Sequence, residues 1–195
     1  MNAEKKENGT SVQRTTKETE ISLTLRSTSG EFYGKTGVNF LDHLLKTFCH
    51  YSGLSLIIDN CESRDGIMHH LIEDLGIVLG QAFRDLFDYT KVKRFGEAVV
   101  PMNEALIGSF VDLSGRSFFQ KNFEFSSEKI EDMPSEAFEE FMLGFVNHAR
   151  ITVHFYKFSG KNDHHVCEAA MKSFALAIAD ALELSETRTT KGVID

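Results

Sequence analysis

Tryptophan is absent from these 195 residues while phenylalanine occurs 17 times, which predicts an interior of aliphatic and Phe side chains. Cysteine is scarce, and Cys49, Cys61 and Cys167 are scattered and odd in number. That pattern argues against a disulfide framework and fits a reduced, cytoplasmic setting in which the thiols act as packing groups. Basic residues are the minority charge, 21 Lys and Arg against 29 Asp and Glu, for a net charge of −8. With no basic stripe, no nucleic-acid partner is expected. No apolar run approaches the roughly 20 residues needed to span a bilayer, so no membrane partner is expected either. Residues 1–12 are polar and charged without an apolar nucleus, and are expected to form a disordered tail. At 42% hydrophobic, the chain can bury one good core or two small fused ones.

What the chain does have is a repeat. His69-His70-Leu71-Ile72-Glu73 returns as His164-His165-Val166-Cys167-Glu168, each copy opening an apolar run of helical period. On a helix, residues three and four apart share a face, while neighbours diverge by roughly 100°. Each glutamate therefore sits below both histidines, and the two rings of a pair point in different directions. This suits two metals shared between helices better than one ion chelated by a single helix.

The repetition extends upstream. Phe40 to Leu45 and the strand-like Leu54 to Asp59 precede the first copy; Phe138 to Leu143 and Ile151 to Tyr156 precede the second. Matching Leu54 with Ile151 pairs His43 with Glu140. Further upstream each half carries two strand candidates, Ile21 to Arg26 with Glu31 to Thr36, and Ala105 to Leu113 with Ser117 to Phe125. The turn residues Ser29-Gly30 and Ser114-Gly115-Arg116 between them are hairpin signals. The expected fold is α+β, an internal duplication of a strand-strand-helix-strand-helix unit with sheets packed against paired helices. The first repeat spans 13–91, the second 92–184, and a C-terminal tail 185–195 follows. Both long helices are apolar around more than one face, so one side is free to meet the other repeat or another subunit.

The candidate metal ligands are His43, His69, His70, Glu73, Glu140, His164, His165 and Glu168, two sets of four related by the repeat. Imidazoles mixed with carboxylates, without thiolates, point to Mn, Fe or Zn rather than Ca or a structural zinc. A pair of such ions with open positions is a catalytic arrangement. His50, His148 and His154 read as capping, surface or supporting residues.

Several segments together resemble the imidazoleglycerol-phosphate dehydratases of histidine biosynthesis. They are Arg14-Thr15-Thr16-Lys17-Glu18-Thr19, Phe40-Leu41-Asp42-His43, His69-His70-x-x-Glu73-Asp74 and Arg94-Phe95-Gly96. They continue with Pro101-Met102-Asn103-Glu104-Ala105-Leu106, Asp112-Leu113-Ser114-Gly115-Arg116 and Gly160-Lys161-Asn162-Asp163-His164-His165-x-x-Glu168. Lys172 and Thr189-Thr190-Lys191-Gly192 complete the set.

The resemblance implies a metal-dependent hydro-lyase converting D-erythro-imidazole glycerol phosphate to imidazole acetol phosphate. The substrate ring would be an imidazolate held between two Mn²⁺ per active site. It implies a 24-subunit homo-oligomer built from trimers, with active sites between subunits. It further implies Glu18 as the proton-transfer acid and Glu73 and Glu168 as ligand carboxylates in the catalytic set. His43, His69, His70 and His164 would meet the substrate through the metals. Arg94, Arg116, Lys172, Thr190 and Lys191 would hold the phosphate, the tail closing on it.

Arginine supplies a planar fork for such a contact and lysine a point charge. Lys172 lies slightly over two turns after His164, on the ligand-bearing side. The chain departs from the family pattern at Glu140 and Tyr51, where histidines are usual. It departs again at Ile67-Met68 and Asn103, where aspartates are usual. These positions leave a second reading open, a non-catalytic or differently specific metal-binding relative on the same fold.

Overall fold

The computed structural model describes residues 9–185. The first repeat runs β1 (Gly9–Thr15), β2 (Thr19–Arg26), β3 (Phe32–Tyr33), α1 (Asn39–Ser52), β4 (Ser55–Ser63) and α2 (Met68–Leu86). A single 3₁₀ turn at Tyr89–Lys91 leads into the second: β5 (Phe95–Met102), β6 (Ala105–Asp112) and β7 (Phe118–Lys121), then the short pair β8 (Lys129–Ile130) and β9 (Met133–Pro134). α3 (Ser135–Ala149), β10 (Thr152–Ser159) and α4 (Asp163–Ala181) complete it. The two main sheets have orders β1-β2-β4-β3 and β5-β6-β10-β7, so corresponding strands occupy corresponding places. The α+β duplication is thus explicit in the topology.

Three features differ from the sequence reading. First, each unit carries an extra leading strand. β1 pairs antiparallel with β2 from Gly9↔Arg26 to Thr15↔Glu20, so residues 9–12 are edge strand rather than disordered tail. β5 pairs in the same way with β6. Such strands are hard to see in sequence because a ladder to the neighbour, not an apolar face of their own, holds them. Second, the expected hairpins do not form. β3 pairs parallel with β4, and β7 parallel with β10, each after crossing its sheet. Ser29 and Gly30, both at positive φ (53° and 69°), turn the chain away from β2. Third, the second repeat alone inserts the β8–β9 hairpin ahead of its first helix.

Each sheet buries one face under its own long helix, α2 over β1 and β2, α4 over β5 and β6. Alternation along β2 places Ile21, Leu23 and Leu25 inside. The helices then pack across the repeats, α1 against α4 and α2 against α3. This explains why the long helices are apolar on two sides. Phe48, Phe83, Phe145, Phe155 and Phe174 form a chain of ring contacts through one shared core. The α2–α3 contact is close because Gly76 and Gly80 face the carbonyls of Phe141 and Phe145; a methyl group at either glycine would collide with backbone. Tyr89, at the join, is buried and donates to the carbonyl of Ala149 at 2.6 Å.

Candidate active site

Crossed packing of the helices decides which side chains meet. His43 projects from α1 of the first repeat and meets α4 of the second. Its Nε2 is 3.0 Å from Oε2 of Glu168, and His164 Nε2 is 3.2 Å from the same oxygen. His43, His164 and Glu168 offer three ligand atoms lying within 4.8 Å of one another. Two imidazole nitrogens and a carboxylate oxygen converging in this way fit a divalent cation of the Mn, Fe or Zn type. Phe40 packs against the His164 ring at 5.0 Å between centroids and shields one side.

Local structure sets these positions. The Asn162 side chain caps α4, accepting from the amides of His164 (2.9 Å) and His165 (3.3 Å), which fixes both histidines in the first turn. The rings of each pair diverge as the helical spacing requires, with planes at 79° for His69–His70 and 82° for His164–His165. Glu168 sits one turn below His164. Burial, the largest influence on its carboxyl, pushes the pKa up. Hydrogen bonds from Lys172 (2.7 Å) and His43 outweigh that and hold it at about 2.

His70 faces away from this cluster and, with Glu18 and Asp65, forms a second three-residue group. Asp65 accepts from His70 Nδ1 at 2.7 Å, and Glu18 lies 3.9 Å from the same nitrogen. The hydrogen bond to Asp65 raises the His70 pKa. Glu18 is delivered here by buried Asp74, which accepts from Arg14 Nε (2.9 Å) and Thr19 Oγ1 (2.5 Å) and so ties β1 and β2 to α2. In the second repeat, Glu104 at the start of β6 accepts from His165 Nδ1 at 2.8 Å, and Asn103 Nδ2 lies 3.2 Å from His165 Nε2. Amide donors of Asn162 and Lys161 and the His165 contact hold the Glu104 pKa at about 2, Asn162 contributing most.

Other expected residues do not close into a further cluster of the same kind, although α2 and α3, which carry His69, Glu73 and Glu140, pack closely. Among the described residues, His69, Glu73 and Glu140 form no group of converging ligand atoms. Arg94 is paired in two hydrogen bonds with Asp112 (2.7 and 3.2 Å), and its amide donates to Ala181 at the far end of α4. Lys172 lies nine residues earlier on that helix, roughly 13 Å along the axis. Arg116, beyond β6, is exposed at the Arg94 end of the sheet. Thr190 and Lys191 lie outside the described residues. His50 lines a cavity of about 510 Å³ whose wall includes His43, Glu168, Lys172, Lys46 and Tyr51. His148 bonds the carbonyl of Gly144 at 2.9 Å, and His154 packs on Phe118 at the outer sheet face.

Sequence reasoning did not single out Asp65, Glu104, Glu131 or Asp74 as site residues. Glu104 and Asp74 stand inside the quoted motifs, and a rule that a metal-binding imidazole needs an acceptor on its other nitrogen would have prompted a search for them. Asp65 and Glu131 sit in loops and left no signal.

Fold and site define a duplicated α+β protein whose helices from opposite repeats share a histidine–carboxylate cluster able to hold a divalent ion. The family profile for imidazoleglycerol-phosphate dehydratase matches residues 36–178, and the chain belongs to that family. It is 76% identical to the imidazoleglycerol-phosphate dehydratase of Thermotoga neapolitana and 74% identical to that of Thermotoga maritima, over the full length of each chain. The crystal structure of imidazoleglycerol-phosphate dehydratase from Staphylococcus aureus superimposes with a TM-score of 0.82 at 35% identity, covering 91% of this chain and 99% of that one. The Pyrococcus furiosus enzyme gives 0.79 at 35% identity, covering 93% and 99%.

Proposed function

We propose that this protein is an imidazoleglycerol-phosphate dehydratase of histidine biosynthesis, a hydro-lyase acting in the cytoplasm. The convergence of His43, His164 and Glu168 in a chain of this family carries the reading. Two Mn²⁺ ions would be held, one by this cluster and one by His69, Glu73 and Glu140, with His70 and His165 as further ligands. They would supply Lewis-acid stabilisation of charge developing on the substrate's imidazole.

The chain's own residues account for the other requirements. The hydroxyl to be lost sits on the carbon beside the ring, where it can leave as water with electron push from the imidazole. The proton to be removed sits on the next carbon, where it is barely acidic, so a positioned base must reach it. Glu18, exposed and 3.9 Å from His70, is the proposed proton-transfer group. Lys172 extends over the cavity beside Glu168, where it would meet one side of the phosphate. Arg94 and Arg116 are too distant in the same chain to close on that phosphate. That separation supports sites built between subunits of a homo-oligomer, the arginines of one copy meeting Lys172 of another. The assembly we propose, a 24-mer of trimers, follows the family resemblance. Thr190 and Lys191 would complete the closure.

His69, Glu73 and Glu140, which form no three-atom cluster among the described residues, favour one competing reading, a metal-binding relative that does not dehydrate this substrate. Dehydration of imidazole glycerol phosphate by metal-stripped protein, with and without Mn²⁺, separates the two. Metal-restored turnover is expected; its absence from folded, metal-loaded protein would sink the dehydratase reading.

A further inference from the structure

The β8–β9 hairpin has no counterpart in the first repeat, where β3 leads to α1 without one. It is anchored in the core by buried Ile130 and Met133, which pair across a two-residue turn made of Glu131 and Asp132. The two turn residues reach the two helices that carry the His43–His164–Glu168 cluster. Asp132 caps the helix that carries His43, accepting from the amides of Asn39 (2.7 Å) and Phe40 (2.9 Å) and from the Asn39 side chain (2.8 Å). Glu131 reaches the other helix, where its Oε1 lies 3.0 Å from His164 Nδ1.

Glu131 also holds a left-handed backbone conformation, φ 54°, which glycine adopts more easily. Its side chain is largely exposed and makes no other hydrogen bond or ion pair among the described residues. A carboxylate kept in an unfavourable backbone conformation, with a histidine as its one partner, fits a role directed at that histidine. Neutral imidazole donates from one nitrogen and accepts at the other. With Nδ1–H given to Glu131, the Nε2 lone pair of His164 faces the Glu168 oxygen at 3.2 Å. Two acceptors so placed need either a proton or a metal cation between them, and His43 Nε2, 3.0 Å from the same oxygen, adds a further donor atom suited to a metal.

We infer that Glu131 is a positioning residue for the metal cluster: it fixes the ring and tautomer of His164 so that Nε2 is presented to the ion. Asp132 meanwhile fixes the helix bearing His43 in register with it. The inference rests on the metal reading above. It makes the cluster dependent on a hairpin that only one of the two repeats contains.

The test compares the full-length protein with Glu131→Gly and Glu131→Gln, titrating metal-stripped protein with Mn²⁺ by equilibrium dialysis and with Co²⁺ by its visible absorption, alongside thermal melts without metal. Glycine relieves the backbone conformation, so Glu131→Gly is expected to melt at the same temperature or higher. It should nevertheless bind Mn²⁺ at one class of site roughly 10- to 100-fold more weakly, with an altered Co²⁺ spectrum. Glu131→Gln keeps an acceptor for Nδ1–H and should recover most of the affinity. Unchanged affinity in Glu131→Gly would overturn the inference while leaving the metal reading intact. Loss of affinity matched by loss of thermal stability would overturn it in favour of a structural role. Failure of the unsubstituted protein to bind either metal would overturn both readings.

Discussion

His43 and Glu168 belong to different repeats, yet His43 Nε2 lies 3.0 Å from Glu168 Oε2. The contact exists because α1 packs on α4 rather than on its own partner helix. Cutting either side chain back should therefore weaken the same site. His43→Ala and Glu168→Gln are each expected to lose one of two Mn²⁺ per chain and to abolish turnover, with the double variant no worse than either single one. Metal content by mass spectrometry after dialysis, with turnover alongside, checks this.

Glu168 also predicts a pH dependence. Its carboxyl titrates at about 2 in the folded chain against an ordinary 4.5, so the charged form is favoured by folding. The sign follows: the stabilisation is present above pH 4.5 and is lost as pH falls from 4.5 towards 2. Urea unfolding of metal-free protein should show this loss, and Glu168→Gln should flatten the curve over that interval. Equal slopes in the two proteins would contradict the assignment.

The separation of Arg94 and Arg116 from Lys172 makes a prediction about assembly. Arg116→Ala and Lys172→Ala should each be inactive alone. Co-expressed, they should recover roughly a quarter of the normal activity, since random pairing of copies rebuilds some intact sites. A mixture as inactive as its parents would place the whole phosphate site in one chain.

Glu140 is the second-repeat counterpart of His43, and it forms no three-atom cluster with His69 and Glu73 among the described residues. As a ligand completed by assembly, its loss in Glu140→Ala should remove one Mn²⁺ per chain. Retention of both ions would exclude it from the coordination shell. Glu140→His is then expected to shift metal preference from Mn²⁺ towards Zn²⁺, measured by competition.

Close helix packing gives the last prediction. A methyl group at Gly80 would meet the carbonyl of Phe145, backbone that cannot swing aside. Gly80→Ala should destabilise the protein by about 1–3 kcal/mol or more in urea unfolding, despite its better helix propensity. A neutral effect would mean that α2 and α3 are less tightly apposed.

The sequence by itself determined the α+β class, the duplication, the two long helices and the histidine–glutamate spacing. Those features are carried by local periodicity: a 3.6-residue repeat puts Glu168 beneath His164 and turns His165 aside whatever surrounds them. Edge strands β1 and β5 escaped because ladder bonds to a neighbour hold them, and so did the parallel placing of β3 and β7. Only the tertiary structure decided that His43 meets His164 and Glu168, while His69, Glu73 and Glu140, on the closely packed α2 and α3, do not bring three ligand atoms together. Only it placed Asp65, Glu104 and Glu131, from three separate loops and turns, against His70, His165 and His164. Those outcomes depend on which helix faces cross between repeats, a matter of side-chain volume and close approach at Gly76 and Gly80 that no short-range pattern encodes.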